Sequence, residues 1–385
     1  MKKILIISDS FKGCLNSTRV EQSIATGIRS ILTECITDCI PIADGGEGIL
    51  ETMLQLSFGK SIEITVHDPL MRPLSARYGL LNDNETAIIE MAQASGLPLL
   101  KSEERNPLQT TSYGTGELIK EALQKGYKKF IIGIGGSATN DAGMGMMQAL
   151  GARFLDQEGN ELPTGCGQLL KEVEKIDLTA FHNLIQGASF TIACDVNNPF
   201  YGLNGAACIF APQKGAGPKE VKLLDEGLYL LSKQIQEATQ MDISKLPGSG
   251  AAGGIGGTFA AFFNAKLVPG IDLVLEAAHF SKHLQGADLV ITGEGKSDAQ
   301  TLMGKVPTGV LRQAQKAGIP VVLLSGAVSD VGELNKAGFT AVLSIAPGPI
   351  SLADAMKPET ASKNLQDTAA QIARLTDIFV KKKGL

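Results

Sequence analysis

The 385-residue chain lacks most of the features that would assign a function at a glance. It has no strong excess of charge: 35 basic residues stand against 40 acidic ones, a formal charge of −5. A balance of this kind gives no electrostatic reason to expect a nucleic-acid or anionic-membrane partner. The only basic run, Lys381-Lys382-Lys383, sits at the extreme C-terminus, where it suits the negative end of a helix dipole. No apolar stretch reaches the roughly 18 residues of a membrane span. The opening Ile4-Leu5-Ile6-Ile7 ends at Ser8-Asp9-Ser10, too soon for the apolar region of a signal peptide. A cytoplasmic protein acting on small molecules, with no nucleic-acid or membrane partner, is the expectation. A homo-oligomer is compatible with the sequence, which does not specify one.

Metal and nucleotide fingerprints are missing too. The six cysteines (14, 35, 39, 166, 194 and 208) include no CxxC pair and no neighbouring His at zinc-ligand spacing, so they read as reduced, mainly structural thiols. His279 and His283 have the i, i+4 spacing of a helical chelate, but no Glu lies between them in the HExxH sense and Lys282 sits beside them. A Walker A loop ending in Gly295-Lys296-Ser297 would need Gly at position 290, which is Val. A GxGxxG turn should follow the first strand, where the chain has Asp9-Ser10-Phe11-Lys12-Gly13.

What the sequence has in abundance is glycine, 44 residues, many of them clustered. Glycine is costly in backbone entropy and is best explained where φ is positive or a ligand must come close. Both ends of the chain alternate strand and helix: Lys3–Ser8, a helix from the capping box at Thr18 to about Leu32, Ile36–Ala43, and later 287–292, 306–317, 320–325, 340–345 and a terminal helix at about 357–382. The middle differs, because 76–81 and 86–91 flank Asn82-Asp83-Asn84-Glu85 as a hairpin. The fold expected is α/β and lacks a P-loop. One domain is built from residues 1–68 and 286–385, and a mixed α/β domain spanning 69–285 is inserted into it. A cleft between two such domains is a favoured ligand site.

The unusual residues cluster just after predicted strands, where a parallel sheet faces its ligand crevice. These turns are Asp9–Gly13, Asp44-Gly45-Gly46-Glu47-Gly48, Gly135-Gly136-Ser137-Ala138-Thr139-Asn140-Asp141, Asp195-Val196-Asn197-Asn198 and Gly293-Glu294-Gly295-Lys296-Ser297-Asp298. One such turn can merely cap the next helix. Five of them, carrying Lys12, Glu47, Glu294, Lys296 and Asp298, demand partners for their charges. Glycine runs before helices present backbone N–H groups to phosphate oxygens. Gly135–Asp141 fits, with Ser137 and Thr139 as added donors. The stretch from Gly248 to Gly257, including Gly250, Gly253 and Gly254, reads equally as an anion cradle or as close helix packing. The carboxylates fit phosphoryl transfer, which needs Asp or Glu oxygens for metal ions and an acceptor for the substrate hydroxyl proton.

Eight motifs in order carry a family resemblance. They are Asp9–Gly13, Pro41–Gly48, Thr111–Leu118, Gly133–Gly143, Cys194–Pro199, Pro212-Gln213-Lys214-Gly215-Ala216, Gly248–Gly254 and Thr292–Thr301. The sequence resembles the bacterial glycerate kinases of type 1 from end to end. Cys14 stands where Ser is common in that family. The resemblance implies ATP-dependent phosphorylation of D-glycerate with Mg²⁺, the 2-hydroxyl favoured over the 3-hydroxyl, and a flavodoxin-like part inserted into another α/β part. For such a reaction the residue types lead us to expect that Asp195 or Asp44 accepts the hydroxyl proton, that Lys12 and Lys296 neutralise the transferring phosphate, and that Glu294 and Asp298 hold Mg²⁺. Ser10, Gly45, Gly46, Gly250, Gly253, Gly254 and the turn residues Gly135, Gly136, Ser137, Thr139, Asn140 and Asp141 bind phosphate or substrate. The alternative is an isomerase or lyase acting on a phosphorylated sugar acid, which needs similar turns and no ATP.

Overall fold

The computed structural model describes residues 2–40, 42 and 48–382. In chain order its strands are β1 (Lys3–Ile6), β2 (Ile36–Cys39), β3 (Lys60–His67), β4 (Pro73–Leu80), β5 (Thr86–Glu90), β6 (Lys129–Gly133), β7 (Arg153–Leu155), β8 (Lys175–Asp177), β9 (Ser189–Ala193), β10 (Lys266–Val268), β11 (Leu289–Ser297), β12 (Val321–Val328) and β13 (Ala341–Ser344). Helices separate most of them, and the fold is α/β with one parallel sheet, one mixed sheet and a small antiparallel pair, β7–β8. No helix among the described residues is long and apolar enough to cross a membrane.

The chain divides into two compact units. The first joins residues 1–45 to residues 271–385. Its five strands are all parallel, in the order β13-β12-β11-β1-β2. Counted within the unit this is 2-1-3-4-5, the doubly wound order of flavodoxin-like folds. That order therefore belongs to the unit made from the chain ends and not to the inserted segment, where the resemblance placed it. On one face Ile4, Ile6, Leu289, Ile291, Val322 and Leu324 pack with Val20, Ile24 and Ile28 of the helix Ser17–Arg29 and with Leu365, Ala369 and Ala373 of the helix Pro358–Lys382. Alternation turns Leu5, Val290 and Leu323 to the other face, where they are equally buried and where the helix Val306–Lys316 meets β11 and β12. The N-cap of Ser17–Arg29 is Asn16, whose Oδ1 accepts Arg19 N–H at 2.9 Å, and not the capping box read at Thr18.

The second unit, residues 46–270, holds a six-stranded sheet in the order β10-β9-β6-β5-β4-β3. The strands β5, β6, β9 and β10 are parallel, while β3, β4 and β5 form an antiparallel meander. The expected hairpin is its β4–β5 arm, and Asp83 closes the loop by accepting Glu85 N–H, Thr86 N–H and Thr86 Oγ1–H. The strand β3 pairs with β4 over eight residues from Lys60 to His67. Residues 60–67 thus share a sheet with the inserted segment, and the units part at 45/46 and 270/271 instead of 68/69 and 285/286. Phe130 and Phe190 stack at 4.8 Å, with Phe263 edge-on to Phe190, in the core of this unit.

Two predicted elements differ in ways that matter for function. The segment 293–297 is no turn, because β11 continues through it and pairs Gly293 with Leu324 and Glu294 with Ser325. Glycine is needed at 293 because a Cβ there would lie 2.4 Å from the Leu324 carbonyl oxygen. The helix after the glycine-rich Gly135–Asp141 segment is confined to Met144–Ala149, since Ala142 and Gly143 take positive φ of 49° and 73°.

Candidate functional site

Parallel strands bring all their carboxyl ends to one edge of a sheet, so each unit has one chemically loaded edge. In the first unit the strand order reverses beside β1, between β11 on one side and β2 on the other. The chain leaving β1 is tied to β11 there: Asp9 N–H and Ser8 Oγ–H both donate to the Gly293 carbonyl, at 2.9 and 3.0 Å. It then closes a tight turn, with Phe11 N–H donating to Leu15 O and Leu15 N–H to Phe11 O, and Gly13 supplies the positive φ of 73°. A cavity of about 430 Å³ opens at this point. Asp9, Ser10, Lys12, Glu294, Lys296 and Lys305 line its polar part.

Glu294 is buried, and its oxygens accept Ser297 Oγ–H, Thr301 Oγ1–H and the Lys305 ammonium, the last at 3.3 Å. Ser297 also bonds Ser325 Oγ at 2.6 Å, which fixes the hydroxyl between β11 and β12. Asp298 caps the turn Ala299–Met303 by accepting Gln300 N–H and pairs with Lys296 at 3.0 Å. That lysine, and then the Gln300 amide, hold the Asp298 carboxyl below its ordinary range. The structure thus brings together Lys12, Lys296, Glu294 and, around the same strand end, Asp298. Lys305, the N-cap residue of Val306–Lys316, joins them.

In the second unit the carboxyl edge carries Glu90 at the end of β5, the Gly135–Asp141 turn after β6 and Asp195 after β9. Asp195 is exposed, and its Oδ1 accepts Gly270 N–H at 2.8 Å, joining the ends of β9 and β10. Glu90 is buried and accepts Gly48 N–H at 2.6 Å, at the start of the helix Ile49–Ser57. It was missed in the sequence, although a carboxylate ending the apolar strand Ala87-Ile88-Ile89 is the signal that marks it.

The Gly135–Asp141 turn lies deeper than a phosphate cradle on a helix terminus, for Thr139, Asn140 and Asp141 are wholly buried. Asp141 accepts Ser112 N–H and Ser112 Oγ–H at 2.8 and 2.6 Å, with Gly143 and Gly145 N–H behind. Burial raises its carboxyl pKa and outweighs these bonds. Ser137 and the Thr139 carbonyl instead receive a cation of the protein itself: Lys214, buried, donates to Ser137 Oγ at 2.7 Å and to Thr139 O at 2.6 Å. Burial lowers the Lys214 pKa to about 7 against the opposing pull of Asp141. Lys214 lay within a quoted motif but was not picked out as a site residue. The side chains of Thr139 and Asn140 have no hydrogen-bond partner among the described residues.

The glycines at 250, 253 and 254 meet protein backbone at close range. A Cβ at Gly250 would come within 2.2 Å of Pro199 O, and one at Gly253 within 2.3 Å of Thr139 O. Gly254 packs on Ala142 and Phe200. Close packing thus accounts for these three residues. Asp44, Gly45 and Gly46 lie outside the described residues. His279, at φ 50°, breaks the helix before Phe280–His283, and His283 Nδ1 bonds Asp38 at 2.7 Å. No group of three or more His, Cys, Asp or Glu side chains among the described residues could hold a metal by itself.

The family model for the "Glycerate kinase family" matches residues 4–377. The chain is 42% identical over 371 residues to a glycerate kinase of Halalkalibacterium halodurans, covering 95% of this chain and 97% of that one. It is 42% identical over 374 residues to a glycerate 2-kinase of Escherichia coli K12, covering 96% and 98%. A crystal structure from Salmonella typhimurium LT2, of a protein provisionally identified as glycerate kinase 2, superimposes with a TM-score of 0.84 at 41% identity, covering 99% of both chains. None of these favours an isomerase or a lyase.

Proposed function

The chain belongs to the glycerate kinase family and is an enzyme that phosphorylates glycerate; from that premise we propose that it transfers the terminal phosphoryl group of ATP to the 2-hydroxyl of D-glycerate. The observation that carries the ATP reading is the cationic crevice at the switch point of the first unit, where Lys12, Lys296 and Lys305 converge on one cavity. Three ammonium groups in a crevice beyond parallel strands suit a triphosphate, whose charge must be balanced as the bond to the leaving oxygen breaks. The relative from Escherichia coli named for the 2-position supports that hydroxyl as the acceptor.

Mg²⁺ fits the same crevice. Glu294 and Asp298 each hold an ammonium group at present, at 3.3 and 3.0 Å, so both already favour a cation. They are hard oxygen donors, and Mg²⁺ is commonly bound by one or two carboxylates with phosphate oxygens completing its shell. Bound there, the ion would neutralise charge on the nucleotide phosphates.

The protein's own groups do the remaining work. Lys12 and Lys296 offset the charge of the transferring phosphoryl group and orient it. Asp195 or Asp44 accepts the proton of the attacking hydroxyl. Gly270 N–H, donated to Asp195 Oδ1 at 2.8 Å, holds that carboxylate in place beyond β9. Ser10 and the glycines at 45, 46, 135 and 136 supply donors to phosphate or to the glycerate carboxylate.

A coupled assay tests the proposal. ADP release should require D-glycerate, ATP and Mg²⁺ together, and omission of any one should abolish it. Release of ADP without glycerate, or none with all three, contradicts it. Separately, Asp195→Asn or Asp44→Asn should lower kcat by about 10²–10⁴. Near-normal turnover in both folded variants removes the base assignment.

A further inference from the structure

The switch-point cavity in the first unit divides into two chemical halves. One is the charged part already described. The other is apolar, walled by Phe11, Ile345, Leu352 and Met356. Leu352, on the short helix Leu352–Ala355, is 75% exposed and Met356 is 39% exposed, so the apolar wall opens to solvent. Phosphates have no use for such a wall. Glycerate, whose three carbons all bear oxygen, has little more.

On the helix Pro358–Lys382, Asn364 lines the same cavity one turn beyond Ala361, which also lines it. Its amide makes no hydrogen bond within the described protein. An amide oxygen and N–H₂ side by side match the exocyclic donor and ring acceptor on one edge of adenine. The matching edge of guanine offers two acceptors, so the amide oxygen would face another oxygen.

We propose that the apolar half of this cavity receives the purine ring of the nucleotide and that Asn364 reads its edge, selecting adenine over guanine. The assignment rests on the phosphoryl transfer from a nucleoside triphosphate proposed above. The polyphosphate then points toward Lys12, Lys296 and Lys305, and the cavity, about 430 Å³, is of the size that takes a small ligand.

Calorimetric titration of the full chain with ADP, GDP and inorganic tripolyphosphate tests this. Asn364→Ala should weaken ADP about tenfold and remove the preference for ADP over GDP. Leu352→Ser, at an exposed position that should not disturb folding, should weaken ADP and GDP alike. Neither change should alter tripolyphosphate binding. In turnover, both should raise KM for ATP while kcat and KM for D-glycerate hold. Wild-type affinity for ADP in both variants, or no ADP binding by the wild type, overturns the base site. If ADP binding follows the expected pattern but no glycerate is phosphorylated, the base site stands and the proposed reaction fails.

Discussion

Replacing Glu21 by Gln should make stability less dependent on pH. Glu21 lies on the helix Ser17–Arg29 and is only 1% exposed. Its Oε1 accepts Ser8 N–H at 3.3 Å, and its Oε2 has no hydrogen-bond partner among the described residues. Burial pushes its carboxyl from 4.5 up to about 8, outweighing the Ser8 amide, which pulls the other way. Between those values the native chain keeps a proton that the unfolded chain has released. Stability therefore falls as pH rises through this window, by about 1.4 kcal/mol per unit from this one group. From pH 5 to pH 7.5 the loss approaches about 3 kcal/mol. Glutamine has the same shape and does not titrate, so the stability difference between E21Q and the wild type should grow by that amount over the same interval. Urea denaturation at pH 5, 6 and 7.5 measures it, and any constant offset from the extra N–H group cancels in the slope. Parallel pH profiles for the two proteins would refute the buried, protonated carboxyl.

Three further outcomes follow from the same structure. Lys12→Met should lower kcat by about 10²–10³ in steady-state assays, as loss of a preorganised positive group does elsewhere, with the fold unchanged by circular dichroism. Gly253→Ala should destabilise the protein by at least about 1–3 kcal/mol in denaturant melts, because φ is 72° and the new methyl would lie 2.3 Å from Thr139 O. Lys214 titrates the other way from Glu21: with its pKa lowered to about 7 from 10.5, the unfolded chain binds the extra proton between these values, so stability rises with pH there. Lys214→Met should flatten that rise, and proton release on folding at pH 8 to 9 should fall correspondingly.

Much of this was legible in the residues. The strands β1, β5, β6, β9 and β12 are short apolar runs with turn residues after them, and the hairpin Asn82-Asp83-Asn84-Glu85 announces itself by composition. The strand β3 went unread, although Ile62, Ile64 and Val66 alternate with polar residues, and with it went the division near residue 45. Strand order is not a local property, so the doubly wound arrangement of the terminal segments could not be read from any one stretch. Gly293 and Gly295 suggested a turn because glycine usually does; only the neighbouring β12 shows that close backbone approach is the reason Gly293 is there. The same holds for Gly253, which serves Thr139 from more than a hundred residues away. Lys214 resembles any surface lysine in sequence, and its burial beneath Ser137 and Thr139 is tertiary information. Lys12, Glu294, Lys296 and Asp298 stood out in the sequence because charges in glycine-rich segments after strands need partners; Lys296 pairs with Asp298, and Glu294 with Lys305, which sequence reasoning did not match to it.

Phosphorus NMR of the complete reaction tests the central claim most directly. With ATP, Mg²⁺ and D-glycerate, the γ-phosphate signal of ATP should disappear as a single monoester resonance grows, coupled to the one proton on carbon 2 as in 2-phosphoglycerate. A resonance coupled to the two protons on carbon 3 would move the attack to the 3-hydroxyl. Inorganic phosphate in place of any monoester would contradict phosphoryl transfer to glycerate altogether.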